Sequence, residues 1–511
     1  MIPQHVLITI AVLAGVFIAS VLGFKMQSNL ALAALVAFAP TIYLVSRPDV
    51  WLTATIALFA STVTLPGLPE NLNAFYMFAF SLCVLMVAQK IINKNRSAWH
   101  TAHYWLLGLA FVLLFTASVR GFGLRILGDS KWGGAQYIQL FIGIGLVFAT
   151  RDINVSPKLW RRCVVALCLL STLPSLAQAI YALSGGRFYY QYYFIVPDYG
   201  AVGYMRGLQA GSGLTRMQIA NVTSSYIFTL ALLARSWRKS FLFCMALIVA
   251  SFLLAGISGH RIAVVYNLMV AGVFALMRRN TPLFTRLITP YTLVLGVALV
   301  VLALSAQELP LSFQRSLSWI PFIQLSPEAT LDASGTISWR FDVWRLMLEE
   351  IPKYLLLGKG FAFSASDLPT FFNGQHLMNS NDFVMTSRNY HNGMLSLLLD
   401  LGAAGFACGV GFSIAALRMQ WKNLNSAWHD TTLGHFHRVM FACFVAQIVV
   451  YFVLAGGATS FVGFFVYFIV MEGLVAADKK TADAPARAAR NAAIDKNLRF
   501  RRTRALPIAI H

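Results

Sequence analysis

The stretch HNGMLSLLLDLGAAGFACGVGFSIAAL, residues 391–417, decides what kind of chain this is. From Met394 to Leu417 it carries a single ionisable side chain, Asp400, and no proline. A helix rises about 1.5 Å per residue, and roughly 20 apolar residues cross the hydrocarbon core of a bilayer. This segment meets both requirements. A helix lying on a soluble core would instead show a polar face on alternate turns.

Comparable apolar runs recur from about residue 5 to about residue 476, roughly fourteen in all. The composition agrees: over 511 residues, 58% are hydrophobic and only 12% are charged, with a mean hydropathy of +0.67. Soluble domains carry about 25% charged residues, so this chain lacks the polar side chains to coat a soluble core. The expected fold is all-α: a polytopic helical membrane protein with about 12–14 transmembrane helices. The run at about 5–24 has neither a basic leader nor a small-residue cleavage site, so it reads as a retained span.

The net charge of +21 and pI near 10 raise the question of nucleic acid. The basic residues, however, are scattered between apolar runs and form no patch interleaved with aromatics, so no nucleic-acid partner is expected. If the loops alternate sides, 26 of the 40 Lys and Arg residues fall on one side, including Arg151, Arg235, Arg418 and the tail from Lys479 to Arg504. Positive charge collects on the cytoplasmic side, which predicts that both termini are cytoplasmic. The six cysteines lie in or at the ends of apolar runs without metal-ligand spacing, so neither a disulfide framework nor a zinc site is expected.

The segments then read as an N-terminal bundle over 1–183, further spans with a first outer loop over 184–305, and a large outer loop over 306–390. C-terminal spans over 391–477 and a basic tail over 478–511 follow. The large loop is too long for a mere connector. Within it, Trp339, Val343, Trp344, Met347, Leu348 and Ile351 recur at helical spacing, which predicts an amphipathic helix on the outer mouth.

The candidate chemistry lies in Arg388-Asn389-Tyr390-His391-Asn392-Gly393, directly before the apolar run. His391 is expected in the first turn of that helix, where the positive helix end favours a neutral ring suited to accept a proton. A histidine there can equally be a simple cap. Gly402 and Gly405 follow by eleven and fourteen residues, within roughly 40° of its face on a continuous helix. Gly405 and Gly409 form a small-residue pair that lets another helix approach closely. Asp400 falls half a turn away from His391, yet is an ionisable group inside a span and so a candidate in its own right.

His391-Asn392, nine residues, Gly402, two residues and Gly405 resemble the His-Asn-x9-Gly-x-x-Gly signature of O-antigen ligases and related polymerases. Ser258-Gly259-His260-Arg261, Arg340 with Trp344, and Gly358-Lys359-Gly360 resemble further elements of that superfamily, in the same order. The resemblance covers about residues 200–420.

It implies a membrane glycosyltransferase of the C-type architecture in the bacterial inner membrane. Such an enzyme works at the periplasmic face on a glycan linked to undecaprenyl diphosphate. The acceptor would be lipid A-core for a ligase, or the growing glycan for a polymerase, and the shared motif does not choose between them. On this reading His391 is the catalytic base, supported by Asn392, Gly402 and Gly405. Arg261, Arg206, Arg216 and Arg388 are the candidates for holding the diphosphate, since guanidinium forks match phosphate oxygens. No cofactor is expected, and no acidic pair on the outer loops suggests a metal. A transporter or flippase of the same lipid-linked glycans is the alternative. It would show internal repeats and charges buried in mid-span, whereas the basic residues here gather at the span edges.

Overall fold

The computed structural model describes residues 47–63, 73–93, 99–124, 129, 131–185, 187–188, 195, 220–234, 237–277, 296–297, 300–301, 304–320, 323–364, 388, 390–424 and 431–504. The runs at about 5–24 and 29–46 lie outside these residues, as do most of 290–305 and the loop positions Arg206 and Arg216.

The architecture is all-helical. The first half comprises α1 (Pro48–Leu58), α2 (Ala74–Asn93), α3 (Thr101–Arg120), α4 (Gly134–Thr150), α5 (Pro157–Leu170), α6 (Leu173–Leu183) and α7 (Ala220–Leu233). Then come α8 (Trp237–Ser258), α9 (Arg261–Leu276), α10 (Leu311–Leu317), α11 (Pro327–Tyr354), α12 (Gly393–Leu424), α13 (Thr432–Val449) and α14 (Phe461–Arg504). Among the described residues, six helical stretches are long and apolar enough to cross a membrane: 101–120, 157–181, 240–258, 393–424, 432–454 and 458–482. Four shorter apolar helices accompany them, within α2, α4, α7 and α9. The run at about 50–66 yields only the 11-residue α1, about 16 Å of helix and too short to span alone.

The first half of α14 is the central post. Its Phe461, Phe464, Phe465 and Phe468 are fully buried. Phe412 of α12 meets three of these rings, with centroids 5.9, 5.5 and 5.5 Å away, at spacings where tilted and edge-on aromatic pairs are favourable. Small residues allow α12 and α3 to approach: Gly108 faces Cys408, and Gly411 faces the Trp105 ring. Some polar groups inside the bundle bond across helices. Asn267 Nδ2 donates to Ser224 Oγ and Ser251 Oγ, both at 3.0 Å.

The large-loop helix α11 is capped by Ser326, whose hydroxyl accepts from Ala329 N, with Pro327 in the first turn. Its buried face, Val343, Met347 and Ile351, packs on Tyr390 and Leu399. The amphipathic helix expected from spacing is therefore present; Val343, Met347 and Ile351 of its apolar face seat on the start of α12, while Leu348 stays exposed.

α12 is not continuous. At Gly402 the backbone turns to φ 70°, ψ −173°, a conformation open essentially to glycine alone. The turn after α11 fills the break. Lys359 N donates to Leu399 O at 2.7 Å, Gly360 N to Asp400 O at 2.9 Å, and Ala403 N to Leu355 O at 2.6 Å. The turn is held from its other side by α3 and α4: Thr116 Oγ1 donates to Leu357 O at 3.0 Å, Arg120 Nε to Gly358 O at 3.1 Å, and Phe361 N to Tyr137 OH at 3.1 Å. The expectation of one continuous helical face joining His391, Gly402 and Gly405 fails here. Gly405 serves the kink itself, since a Cβ there would meet the Leu401 side chain of the same helix.

A Cβ on Gly402 would lie 2.7 Å from Leu356 O and 2.8 Å from Gly358 N. Gly402→Ala is expected to cost at least about 2 kcal/mol through backbone strain alone. The expected readout is a lower thermal-unfolding midpoint for the detergent-solubilised protein. Gly272→Ala is the control, because a Cβ there meets open space, and its midpoint should stay put or rise slightly.

Candidate functional site

The site grows from the few residues that lead into α12. Asn392, not His391, caps this helix: its Oδ1 accepts from Leu395 N at 3.1 Å, and its carbonyl accepts from Ser396 N at 2.9 Å. His391 stands one residue outside the helix with φ 54°, and Arg388 has φ 57°. Left-handed backbone is uncommon for residues with a Cβ and is found at sites where the surroundings enforce it. The expectation that His391 lies in the first helical turn is thus corrected by one cap position. Gly393 is required here because a Cβ would strike the ring of Tyr451.

Beneath His391 is a buried polar chain. Arg388 Nη1 donates to Tyr390 OH at 3.1 Å, and Tyr390 OH donates to Asp400 Oδ1 at 3.3 Å. The guanidinium and the carboxylate are 4.0 Å apart and essentially inaccessible. Trp344 Nε1 on α11 donates to Tyr390 O at 3.1 Å, so the large-loop helix clamps this segment. Asp400, although it does not face His391, is bonded to the residue directly before it.

Beside His391 lie Trp339 and Arg340, consecutive on α11. The Trp339 and His391 rings meet edge to face with centroids 5.5 Å apart. His391 is pushed down to about 4, by burial first and by the positive charge of Arg340 second. The ring is therefore neutral at ordinary pH. The cause is the loss of water and a neighbouring cation, not only the end of a helix.

Arg340 Nη1 donates to Leu454 O at 3.3 Å, where the π-helical end of the span after α13 leaves a carbonyl free. Its Nε has no hydrogen-bond partner among the described residues. Its pKa is lowered by burial and by the charge of Arg261.

Arg261 opens α9 directly after the tight turn at Gly259, which has φ 67°. Ser258 shapes that turn: its hydroxyl donates to Ala255 O at 2.7 Å and accepts from His260 N at 3.1 Å. Arg261 Nη2 donates to Ala333 O of α11 at 2.7 Å. Between α9 and α11 lies a cavity of about 250 Å³, lined among others by Arg261, Arg315, Thr336 and Arg340. Arg315 is ion-paired with Asp332 at 2.5 Å and bonded to Thr336 at 2.8 Å. Arg261 and Arg340 bring two further positive charges to the same wall.

Of the residues singled out from sequence, the fold thus brings His391, Asn392 and Arg261 to one end of the bundle. Gly402 and Gly405 form the kink that the Gly358–Gly360 turn fills. Arg388 is on hand but buried beneath His391, and Arg206 and Arg216 are outside the described residues. Arg340 joins the site although spacing alone did not select it over the other arginines. Its signal was the spacing to Trp344 on the amphipathic helix, which resembles an element of the superfamily. Among the described residues no three His, Cys, Asp or Glu side chains gather as metal ligands do.

Residues 246–410 match the family model described as O-antigen ligase. The match begins within α8 and ends within α12, so it takes in Arg261, Arg340, the Gly358–Gly360 turn, His391 and the kink at Gly402. No curated protein matches the chain.

Removing the carboxylate from beside the buried Arg388 should be costly. Asp400→Leu is expected to destabilise the protein by about 3–5 kcal/mol, and the double variant Arg388→Met/Asp400→Leu by less. Unfolding of the wild type, Asp400→Leu, Arg388→Met and the double variant in one detergent checks this. A double variant as damaged as the sum of the singles would show that the two groups are not coupled.

Proposed function

We propose that this chain, whose residues 246–410 place it in the O-antigen ligase/polymerase superfamily, transfers a glycan from a polyprenyl diphosphate to a hydroxyl of an acceptor sugar. The observation that carries the reading is the place of Arg340, which lines one cavity with Arg261 and whose charge acts on the neutral, half-buried His391 beside it. The donor is taken to be undecaprenyl diphosphate-linked. The acceptor is lipid A-core in the ligase form and the growing glycan in the polymerase form. The excess of basic residues at the opposite end of the bundle supports a periplasmic position for this site in the inner membrane, with both termini cytoplasmic.

The chemistry asks for two things. As the acceptor oxygen bonds to the anomeric carbon, its proton must go to a base, and the neutral imidazole of His391 takes it. As the bond from the anomeric carbon to the phosphate oxygen breaks, the electron pair leaves with the diphosphate. Arg261 and Arg340 stabilise that charge, which is greater in the transition state than in the bound donor. A diphosphate is a good leaving group, so no strong acid is required. Arg388 enters as a positioning residue: with Tyr390 and Asp400 it holds the segment that presents His391. Arg206 and Arg216 remain candidates for the diphosphate because they sit in the Gly-rich run before a span.

The deciding experiment incubates the purified protein with an undecaprenyl diphosphate-linked repeat unit, with and without lipid A-core, and resolves products by size. Glycan on lipid A-core marks a ligase, a ladder on the carrier marks a polymerase, and no new glycosidic bond with either overturns the proposal. His391→Ala is expected to lower turnover by about 10²–10⁴-fold with insertion and folding intact. Full activity in that variant removes the base assignment.

The pH profile supplies a sharper check. The base form is the neutral one, so the rate should stay level as pH falls from 8 to about 5.5 and drop only as it approaches about 4. An ordinary imidazole would already be half protonated near 6.5. Arg340→Gln removes one of the two causes that depress this value, so the acid limb should move upward as kcat falls. An acid limb that stays in place would separate Arg340 from His391.

A further inference from the structure

The bundle has a second polar cavity at the end opposite His391. The end of α4, the start of α5, the residue before α3, the end of α12 and the last turns of the α14 span converge there on a cavity of about 480 Å³. A volume of this size is ordinary for a small-molecule site. Arg151, Lys479 and Lys480 line it, opposed by one carboxylate, Glu472. Lys480 donates to Asn154 of the α4–α5 turn, which fixes that ammonium at the rim.

The charge and the depth of this cavity identify its ligand. Three cations against one carboxylate favour an anion, and Arg151 is half-buried, where the attraction is less screened than at an open surface. Lys479 and Lys480 fall in the last turn of the apolar stretch 458–482, at the depth where a span passes from hydrocarbon to headgroups. The same cavity is floored by the apolar Leu52 and Trp160. A basic rim over an apolar floor at the end of a span matches the phosphate of an amphiphile rather than a free ion. We propose that this cavity is a binding site for the phosphate headgroup of an anionic phospholipid, independent of the reaction at the other end.

The test titrates the detergent-purified full chain with phosphatidylglycerol and reads bound lipid by native mass spectrometry and stabilisation by thermal unfolding. The wild type is expected to retain the lipid, and Lys480→Gln and Arg151→Gln each to weaken its apparent affinity about tenfold. Lys480→Arg should keep it. Lys480 is exposed, so its replacement leaves folding intact even where that of Arg151 does not. Lys422→Gln removes an exposed basic residue that does not line the cavity, and it should bind as the wild type does. An effect equal in Lys422→Gln and Lys480→Gln would make the binding a general charge effect and overturn the site. Equal stabilisation by inorganic phosphate would overturn the lipid assignment, as would equal retention of zwitterionic phosphatidylcholine.

Discussion

Everything at the His391 end depends on how a broken helix is repaired. A helix interrupted inside a membrane protein leaves backbone groups that no water can satisfy, and each such group is costly. In α12 the break at Gly402 is closed by the backbone of residues 355–360, through three hydrogen bonds of 2.6–2.9 Å. This is the coupling between the large loop and the spans. It fixes the end of α11 against the middle of α12, and α11 in turn carries Trp339, Arg340 and Trp344 to the segment 388–391. Without the kink there would be no acceptor carbonyls at Leu399 and Asp400 for the turn to bind.

The electrostatics follow from the same placement. Burying arginines is expensive unless they are bonded or face a counter-charge. Arg315 has Asp332, and Arg388 has Tyr390 and Asp400. Arg261 and Arg340 are bonded to the carbonyls of Ala333 and Leu454, but, alike in charge and beside one cavity, they raise each other's cost. A diphosphate is what would relieve that repulsion. On the proposed reading, the charge that would bind it is the same charge that holds His391 neutral, so donor site and base would arise from one arrangement rather than two.

The two ends of the bundle are organised by opposite needs. At the His391 end the helices are short or broken: α11 reaches the π-helical turn at 450–454 and Arg261 just after the turn at Gly259, and the turn that follows α11 fills the kink at Gly402. These irregularities free carbonyls and aim side chains inward. At the other end the helices run out into basic residues, Arg151, Lys479 and Lys480 among them, around the second cavity.

The stretch 391–417 was enough to class the chain as a helical membrane protein, because hydrophobicity over some 20 residues is a local property. His391, Arg261 and the Gly358–Gly360 turn were legible for a related reason: each stands at a fixed spacing in a motif. The amphipathic helix was legible from its 3.6-residue period, but not the surface it covers, since period shows that a face is apolar and not what lies against it. The kink at Gly402 was not legible, because glycine permits a left-handed backbone without requiring it, and the requirement comes from residues 355–360 some forty positions earlier. The same holds for the neighbours of Arg340 and for the Arg388–Tyr390–Asp400 chain. The sequence by itself determined a membrane bundle with a charge asymmetry and a histidine at the mouth of a span. Only the tertiary structure decided which arginines meet that histidine, because a guanidinium's role is set by what lies within a few ångströms of it, and for Arg340 those neighbours come from α9, the end of the α13 span and the segment before α12.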